Sequence, residues 1–231
     1  VPPRPWHTVG LDYLTHLPES NGFNSVLIVV DHLTRMAHFL PCTESITAEE
    51  TATLFLQGVY LLHGLPRVLI SDRDPKFVSA FWQTLWRRLG TRLNMSTSRH
   101  PETDGLTERV NSTFQLLLRC FCCYDGSDWS TLLPQVEFAY NASRALGIEH
   151  TPFEANFGFS PEEPLDLLFS MRPSIPISQD ATERLKLLQE IHSLVRSVLL
   201  LHKDEMQART EPSTTPHFAK GDKVSVVTAN L

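Results

Sequence analysis

Thr8 to Leu14 alternates apolar and polar positions around Gly10 and Asp12, the period-two pattern of a strand. Ser25 to Asp31 contains the unbroken run Val26-Leu27-Ile28-Val29-Val30, which predicts a buried strand. Ala37 to Cys42 reads as a third strand, and the short gaps between the three suit antiparallel hairpins. The period then lengthens. Thr47 opens a helix with Glu49 and Glu50 in its first turn, where negative charge favours the helix dipole. Leu54, Phe55, Val59 and Leu62 form its apolar face, and His63-Gly64-Leu65-Pro66 stops it. Val68 to Ser71 predicts a strand running into Asp72, Ser79 to Leu89 a helix stopped by Gly90, and Arg92 to Met95 a fifth strand. A third helix, capped by Thr103 or Asp104, runs to about Cys123. Asp128 opens a fourth, with Leu132, Leu133, Val136, Phe138 and Ala139 buried. Three strands, helix, strand, helix, strand and then helices make a mixed α/β layer fold.

The pattern changes after about Pro173. Ser174 to Gln179 is a loop, and Ala181 to Arg209 is one long helical stretch with Leu185, Leu188, Ile191, Val195, Val198 and Leu199 at three- and four-residue steps. Glu211 to Pro216 reads as a linker, and Phe218 to Val227 as a turn and one strand. A single strand cannot bury itself, so the expectation is a chain that stops inside a further β domain. Val1-Pro2-Pro3-Arg4-Pro5 reads as a linker within a longer polypeptide and lacks the features of a signal peptide. No apolar run approaches the roughly 18 residues that span a bilayer, so no membrane partner is expected.

Composition adds little to this picture: 231 residues, 42% hydrophobic and 20% charged, are globular values. Cys42, Cys120, Cys122 and Cys123 complete no zinc pattern and read as reduced, partly buried thiols. Asn111-Ser112-Thr113 and Asn141-Ala142-Ser143 match the glycosylation pattern, which is discounted without a secretory signal. Charge matters more. The net charge of −6 runs against the basic footprint of nucleic-acid enzymes. Most of the excess acid lies after residue 110, and divalent cations among the acids before it would turn that part positive.

Three carboxylates stand out. Asp12 lies mid-strand, where Asp is disfavoured; Asp72 sits where a strand ends; Glu108 falls in the first turns of a helix. Each alone has an ordinary explanation in turn chemistry or a solvated face. Brought together they would repel one another unless divalent cations neutralised them, and hard oxygen donors suit Mg²⁺.

Their spacing and surroundings are more specific. Fifty-nine residues separate Asp12 from Asp72 and 35 separate Asp72 from Glu108. Around them, in order, stand Pro5-Trp6-His7, Val29-Val30-Asp31-His32-Leu33-Thr34-Arg35, His63-Gly64-Leu65-Pro66, Ile70-Ser71-Asp72-Arg73-Asp74, His100-Pro101-Glu102-Thr103-Asp104-Gly105-Leu106-Thr107-Glu108-Arg109-Val110-Asn111, Leu133 to Asn141 and Thr151-Pro152-Phe153-Glu154. From about Pro5 to Val227 the chain resembles the integrases of gypsy-class LTR retrotransposons, within the retroviral integrase superfamily.

The resemblance implies an RNase H-like fold: a five-stranded mixed sheet flanked by helices, then a long linker helix and the first strand of a truncated SH3-like β domain. The corresponding divisions are a catalytic core over 1–165, an extension and linker helix over 166–210, and the start of the β domain over 211–231. It implies Mg²⁺ or Mn²⁺, as two ions, on the catalytic residues Asp12, Asp72 and Glu108. Pro101 to Gly105 would be a mobile loop beside the site. Lys76, Arg99, His100, Thr103, Asp104, Gly105, Asn111, Ser112 and Gln115 would lie along DNA. Glu102 and Leu106 depart from the glutamines usual in the family, which puts loop–DNA contacts in doubt but no metal ligand. The implied activity is 3′-end processing and strand transfer of element DNA into target DNA, by a nuclear homo-oligomer acting on double-stranded DNA. An RNase H-like nuclease that only cleaves, or a domesticated derivative that binds without catalysis, would carry the same residues.

Overall fold

Five strands form one mixed sheet in the computed structural model, which describes residues 1–95, 101–123, 126–145, 147–162 and 181–210. They are β1 (Thr8–Leu14), β2 (Ser25–Asp31), β3 (Ala37–Cys42), β4 (Val68–Ser71) and β5 (Arg92–Met95). Their order is β3-β2-β1-β4-β5. The hairpin-linked pairs β1–β2 and β2–β3 are antiparallel, whereas β1–β4 and β4–β5, joined by helical crossovers, are parallel. All seven residues of β2 are buried because both faces of the sheet are covered. Leu27 and Val29 enter one core with Phe55, Trp82 and Trp86. Val26, Ile28 and Val30 point the other way, into a core with Phe114, Trp129 and Val136. The architecture is three-layered, with helices on each face of the sheet.

On the first face, α1 (Ala48–Phe55) begins at a capping box between Thr47 and Glu50. It runs into a π-helical turn, Leu56–Tyr60, and a short α2, Leu61–His63. The wide turn lies where Gly58 approaches β3; a Cβ there would stand 2.6 Å from Leu40 Cδ2. The wider turn carries the inward-facing stripe from Phe55 through Val59 to the half-buried His63. Leu62, expected on the apolar face, is therefore 64% exposed. The helix expected from Ser79 is preceded by a separate turn, α3 (Pro75–Val78), capped by Asp74. Ser79 then caps α4 (Ala80–Arg88), which buries Trp82 and Trp86.

On the second face lie α5 (Pro101–Phe121) and α6 (Trp129–Ala142). The expected loop over Pro101 to Gly105 is instead the first turn and a half of α5. Proline is favourable at the first helical position, and Glu102 and Asp104 suit the positive end of the dipole; together they outweigh the cost of Gly105. In α6 the buried stripe is Trp129, Leu133, Val136 and Tyr140, while Leu132, Phe138 and Ala139 are half-buried beside it. Asn141 acts as an extra partner for the edge strand β3. Its Nδ2 donates to Ala37 O (2.8 Å) and its Oδ1 accepts from Ala37 N (3.0 Å). A side chain so enclosed is no glycosylation acceptor, in line with the sequence reading.

A short α7 (Pro152–Phe157) receives the long helix α8 (Ala181–Thr210). Ile191, Val195 and Leu199 of α8 pack on Leu33, Ile148 and Ala155. Leu185, expected on the same face, is 56% exposed because the contact covers only the middle turns. Among the described residues no disulfide joins the cysteines: Cys42 is buried, Cys122 half-buried, and Cys120 and Cys123 exposed. No helix among the described residues is long and apolar enough to cross a membrane. The division near residue 165 and the expected β domain over 211–231 lie outside the described residues.

Candidate active site

Parallel pairing of β1 with β4 puts Leu11 opposite Ser71, the last matched position. One step further along both strands come Asp12 and Asp72, at the carboxyl end of β4. Adjacent strands lie about 4.8 Å apart, so the two carboxylates belong to neighbouring chain positions despite the 59 residues between them. Both are half-buried. Asp12 Oδ1 accepts from Tyr13 N (2.8 Å), and Asp72 Oδ1 accepts from Asp74 N (3.0 Å) in a tight turn.

Helix α5 crosses β1 at this point, and glycine makes the crossing close. A Cβ on Gly10 would stand 3.0 Å from Thr107 Oγ1 and 3.0 Å from His32 Nε2. One turn on, Asn111 Nδ2 donates to Asp12 Oδ2 at 2.6 Å. Glu108 lies between these two contacts, so the helix brings its backbone to the same end of the sheet. Its side chain is exposed. Among the described residues, no group of three or more His, Cys, Asp or Glu side chains is close enough to hold a metal ion. Asp12 and Asp72 are thus brought together, while Glu108 stands at the rim. Asn111 Oδ1 is buried and lacks a hydrogen-bond partner, an oxygen donor left over beside Asp12. The available donors are hard oxygens, which fits Mg²⁺ or Mn²⁺.

Charge beside the pair is locally compensated. Lys76 Nζ lies 3.2 Å from Asp74 Oδ2 and 4.4 Å from the Tyr13 ring centroid. Lys76, a phosphate contact by the family resemblance, here shares its charge with Asp74 beside the Tyr13 ring. Below Gly10, burial pushes the His32 imidazole down to about 3, aided by the Arg35 charge, so that ring stays neutral.

The remaining expected residues divide. Asn111, Ser112 and Gln115 share a face of α5 with Glu108, as their spacing required. Asn111 is committed to Asp12, and Ser112 Oγ donates back to Glu108 O (3.0 Å). Thr103, Asp104 and Gly105 are helical in backbone, and their side chains lie outside the description. Arg99 and His100 lie outside the described residues. The sequence reading missed Thr107, the residue that meets Gly10. A glycine inside a strand marks close approach of another backbone, and that signal was present at Gly10.

The Tf2-3 and Tf2-4 polyproteins of Schizosaccharomyces pombe (strain 972 / ATCC 24843) are each 39% identical to this chain over 170 residues, 72% of its length. The chain is similar to one segment of these transposon polyproteins. It spans 13% of the length of those polyproteins. Its fold is the RNase H-like fold of retroviral integrase cores. The catalytic core domain of HTLV-2 integrase, solved in complex with magnesium in a trimeric form, superposes with a TM-score of 0.53 at 18% identity, covering 65% of this chain and 95% of that one. The simian T-cell lymphotropic virus intasome, solved with the PP2A regulatory subunit B56 gamma, gives a TM-score of 0.52 at 18% identity, over 65% of this chain and 54% of that one. No protein-family model matches the chain.

Proposed function

We propose that this chain is the catalytic core of an integrase that trims the 3′ ends of element DNA and joins them to target DNA. The observation that carries the reading is the placement of Asp12 and Asp72 side by side past the last β1–β4 pair, with Asn111 of α5 bonded to Asp12. Asp12, Asp72 and Glu108 would hold Mg²⁺ or Mn²⁺, which supplies Lewis acidity for activating a nucleophile and stabilising a leaving oxygen in phosphoryl transfer. The HTLV-2 core was solved with magnesium, which supports that choice of cation.

The chain's own residues have separable roles. Asn111 orients the Asp12 carboxylate, and the tight turn after β4 orients Asp72. Glu108, exposed on a helix, is free to select the rotamer that completes the donor set. The Glu108–Asn111–Ser112–Gln115 face lies along double-stranded DNA. No covalent enzyme intermediate is required, so no activated serine or cysteine belongs to the scheme. The protein would act as a homo-oligomer in the nucleus; HTLV-2 core structures in dimeric and trimeric forms support assembly.

The test is a joining assay on short duplex DNA with a pre-processed 3′ end, in Mg²⁺ or Mn²⁺. Wild type is expected to form joined products, and Asp12→Asn, Asp72→Asn and Glu108→Gln to form none while keeping a cooperative melt. Wild-type joining by any of the three variants sinks the assignment, and cleavage without joining would point to a nuclease. The exposed position of Glu108 favours one rival, a derivative that binds DNA without catalysis. Calorimetric titration with Mn²⁺ separates them, because only the catalytic reading requires heat that vanishes in Asp12→Asn.

A further inference from the structure

A basic feature sits on the flank of α5 opposite Glu108. Residues 106, 109, 110 and 113 recur at three- and four-residue steps and face away from Glu108, Asn111 and Gln115. With the β2–β3 turn and the end of α6 they enclose a cleft of about 170 Å³. Arg35, Arg109 and Arg144 line it together with Val110, Thr113 and Tyr140.

Three arginines line the same cleft, and none of them forms an ion pair among the described residues, where the pairs are His16–Glu44, His38–Glu137 and Lys76–Asp74. Arg35 is the informative one. Its Nε is buried and has no hydrogen-bond partner. Its backbone has φ of 66°, a left-handed position that glycine or asparagine fills more easily. Two contacts pin that backbone: Arg35 N donates to Asp31 O (3.0 Å), and Tyr140 Oη donates to Arg35 O (3.2 Å). The side chain is thereby held in the cleft. Burial pushes the guanidinium pKa down and Arg109 adds repulsion; Tyr140 and Asp31 oppose them. A buried donor with no acceptor, beside two further cations, is the environment an oxyanion completes.

We propose that this cleft binds a backbone phosphate of DNA through Arg35, Arg109 and Arg144. The phosphate is favoured over an isolated carboxylate because three guanidiniums offer more donors than one carboxylate accepts. The site also begins at Arg109, the residue after Glu108. The proposal rests on the integrase reading and deepens it. Duplex DNA engaged by the Glu108 face would be anchored a second time across a helix about 10 Å wide.

The test is fluorescence anisotropy of a labelled duplex with wild type, Arg144→Gln and Arg35→Lys, in EDTA and over a salt series. Binding is read without metal or joining, so its outcome is independent of the catalytic reading. Arg144 is exposed, so Arg144→Gln should fold even if Arg35→Lys disturbs its turn. Loss of one phosphate contact should make the salt slope shallower by about 0.9 and weaken binding roughly 8-fold at 0.1 M salt. In parallel, 10 mM inorganic phosphate should raise the wild-type melting temperature and leave that of Arg144→Gln unchanged. Unaltered slope and affinity in Arg144→Gln overturn the proposal. A phosphate-dependent melting shift with unaltered DNA binding overturns DNA as the source of the phosphate. Lost joining by Asp12→Asn alongside an unchanged Arg144→Gln slope would leave the integrase reading standing and remove this one.

Discussion

Gly10→Ala perturbs the contact that sets α5 against β1. The added methyl would meet Thr107 Oγ1 at 3.0 Å and His32 Nε2 at 3.0 Å, each a few tenths of an ångström too close. The backbone at Gly10 is not in the positive-φ region, so alanine itself is unstrained and removes the usual glycine penalty of about 0.5–1 kcal/mol in a strand. Overpacking a closed contact costs about 1–3 kcal/mol. The net destabilisation should be on the order of 1–2 kcal/mol, a melting decrease of roughly 2–8 °C at this size. The functional effect should exceed the stability effect. Relief of the clash lifts the helix at Thr107, beside Glu108 and one turn before the 2.6 Å bond from Asn111 to Asp12. Misplacement on the scale of an ångström can cost about 100-fold in rate. Denaturant melts and the joining assay measure the two effects. Thr107→Ala removes one of the clashing atoms, so the double variant should recover part of both losses. Gly10→Ala with wild-type joining, or a double variant no better than Gly10→Ala, would refute the claim that this contact positions the site.

Acid should weaken the fold through His32. Its folded value of about 3 lies below the ordinary 6.5, so the contribution is complete above pH 6.5 and is lost as pH falls toward 3. At pH 5 the loss is about 2 kcal/mol, and it should be absent from the pH dependence of His32→Gln measured by urea melts at pH 7.5 and 5. Asn141→Ala leaves Ala37 N and O without partners at the β3 edge; a loss of about 2–4 kcal/mol is expected by chemical denaturation, and less than 1 would discount the role of Asn141 as a strand partner. Asn111→Ala should lower joining at least 10-fold with a melting change of only a few degrees; retained joining would make Asn111 a packing residue only.

The five strands were legible from periodicity because each side-chain face meets a continuous core. Alternation in Thr8–Leu14 and the all-apolar run in β2 translate directly into burial. The three carboxylates were singled out by spacing and flanking residues rather than any property of one acid, and the structure brings two of them, Asp12 and Asp72, to neighbouring positions. Other features depended on contacts remote in sequence. The π turn that exposes Leu62 follows from Gly58 lying on Leu40, and the stripe of α6 depends on where β2 and β3 present their side chains. Helix α5 reaches back to Pro101 because end effects at its first turn outweigh a glycine that read as a loop.

The sequence by itself determined the strand order along the chain, the family resemblance, and the three carboxylates that its spacing singles out. Local periodicity and spacing are properties of consecutive residues, and they need no knowledge of what lies across the fold. Only the tertiary structure decided that β4 pairs in parallel with β1, so that Asp12 and Asp72 become neighbours, and that Gly10 admits α5 closely enough for Asn111 to reach Asp12. It alone gathered Arg35, Arg109 and Arg144 around one cleft. Those relations depend on distances between residues far apart in the chain, and such distances exist only once the cores on both faces of the sheet have closed.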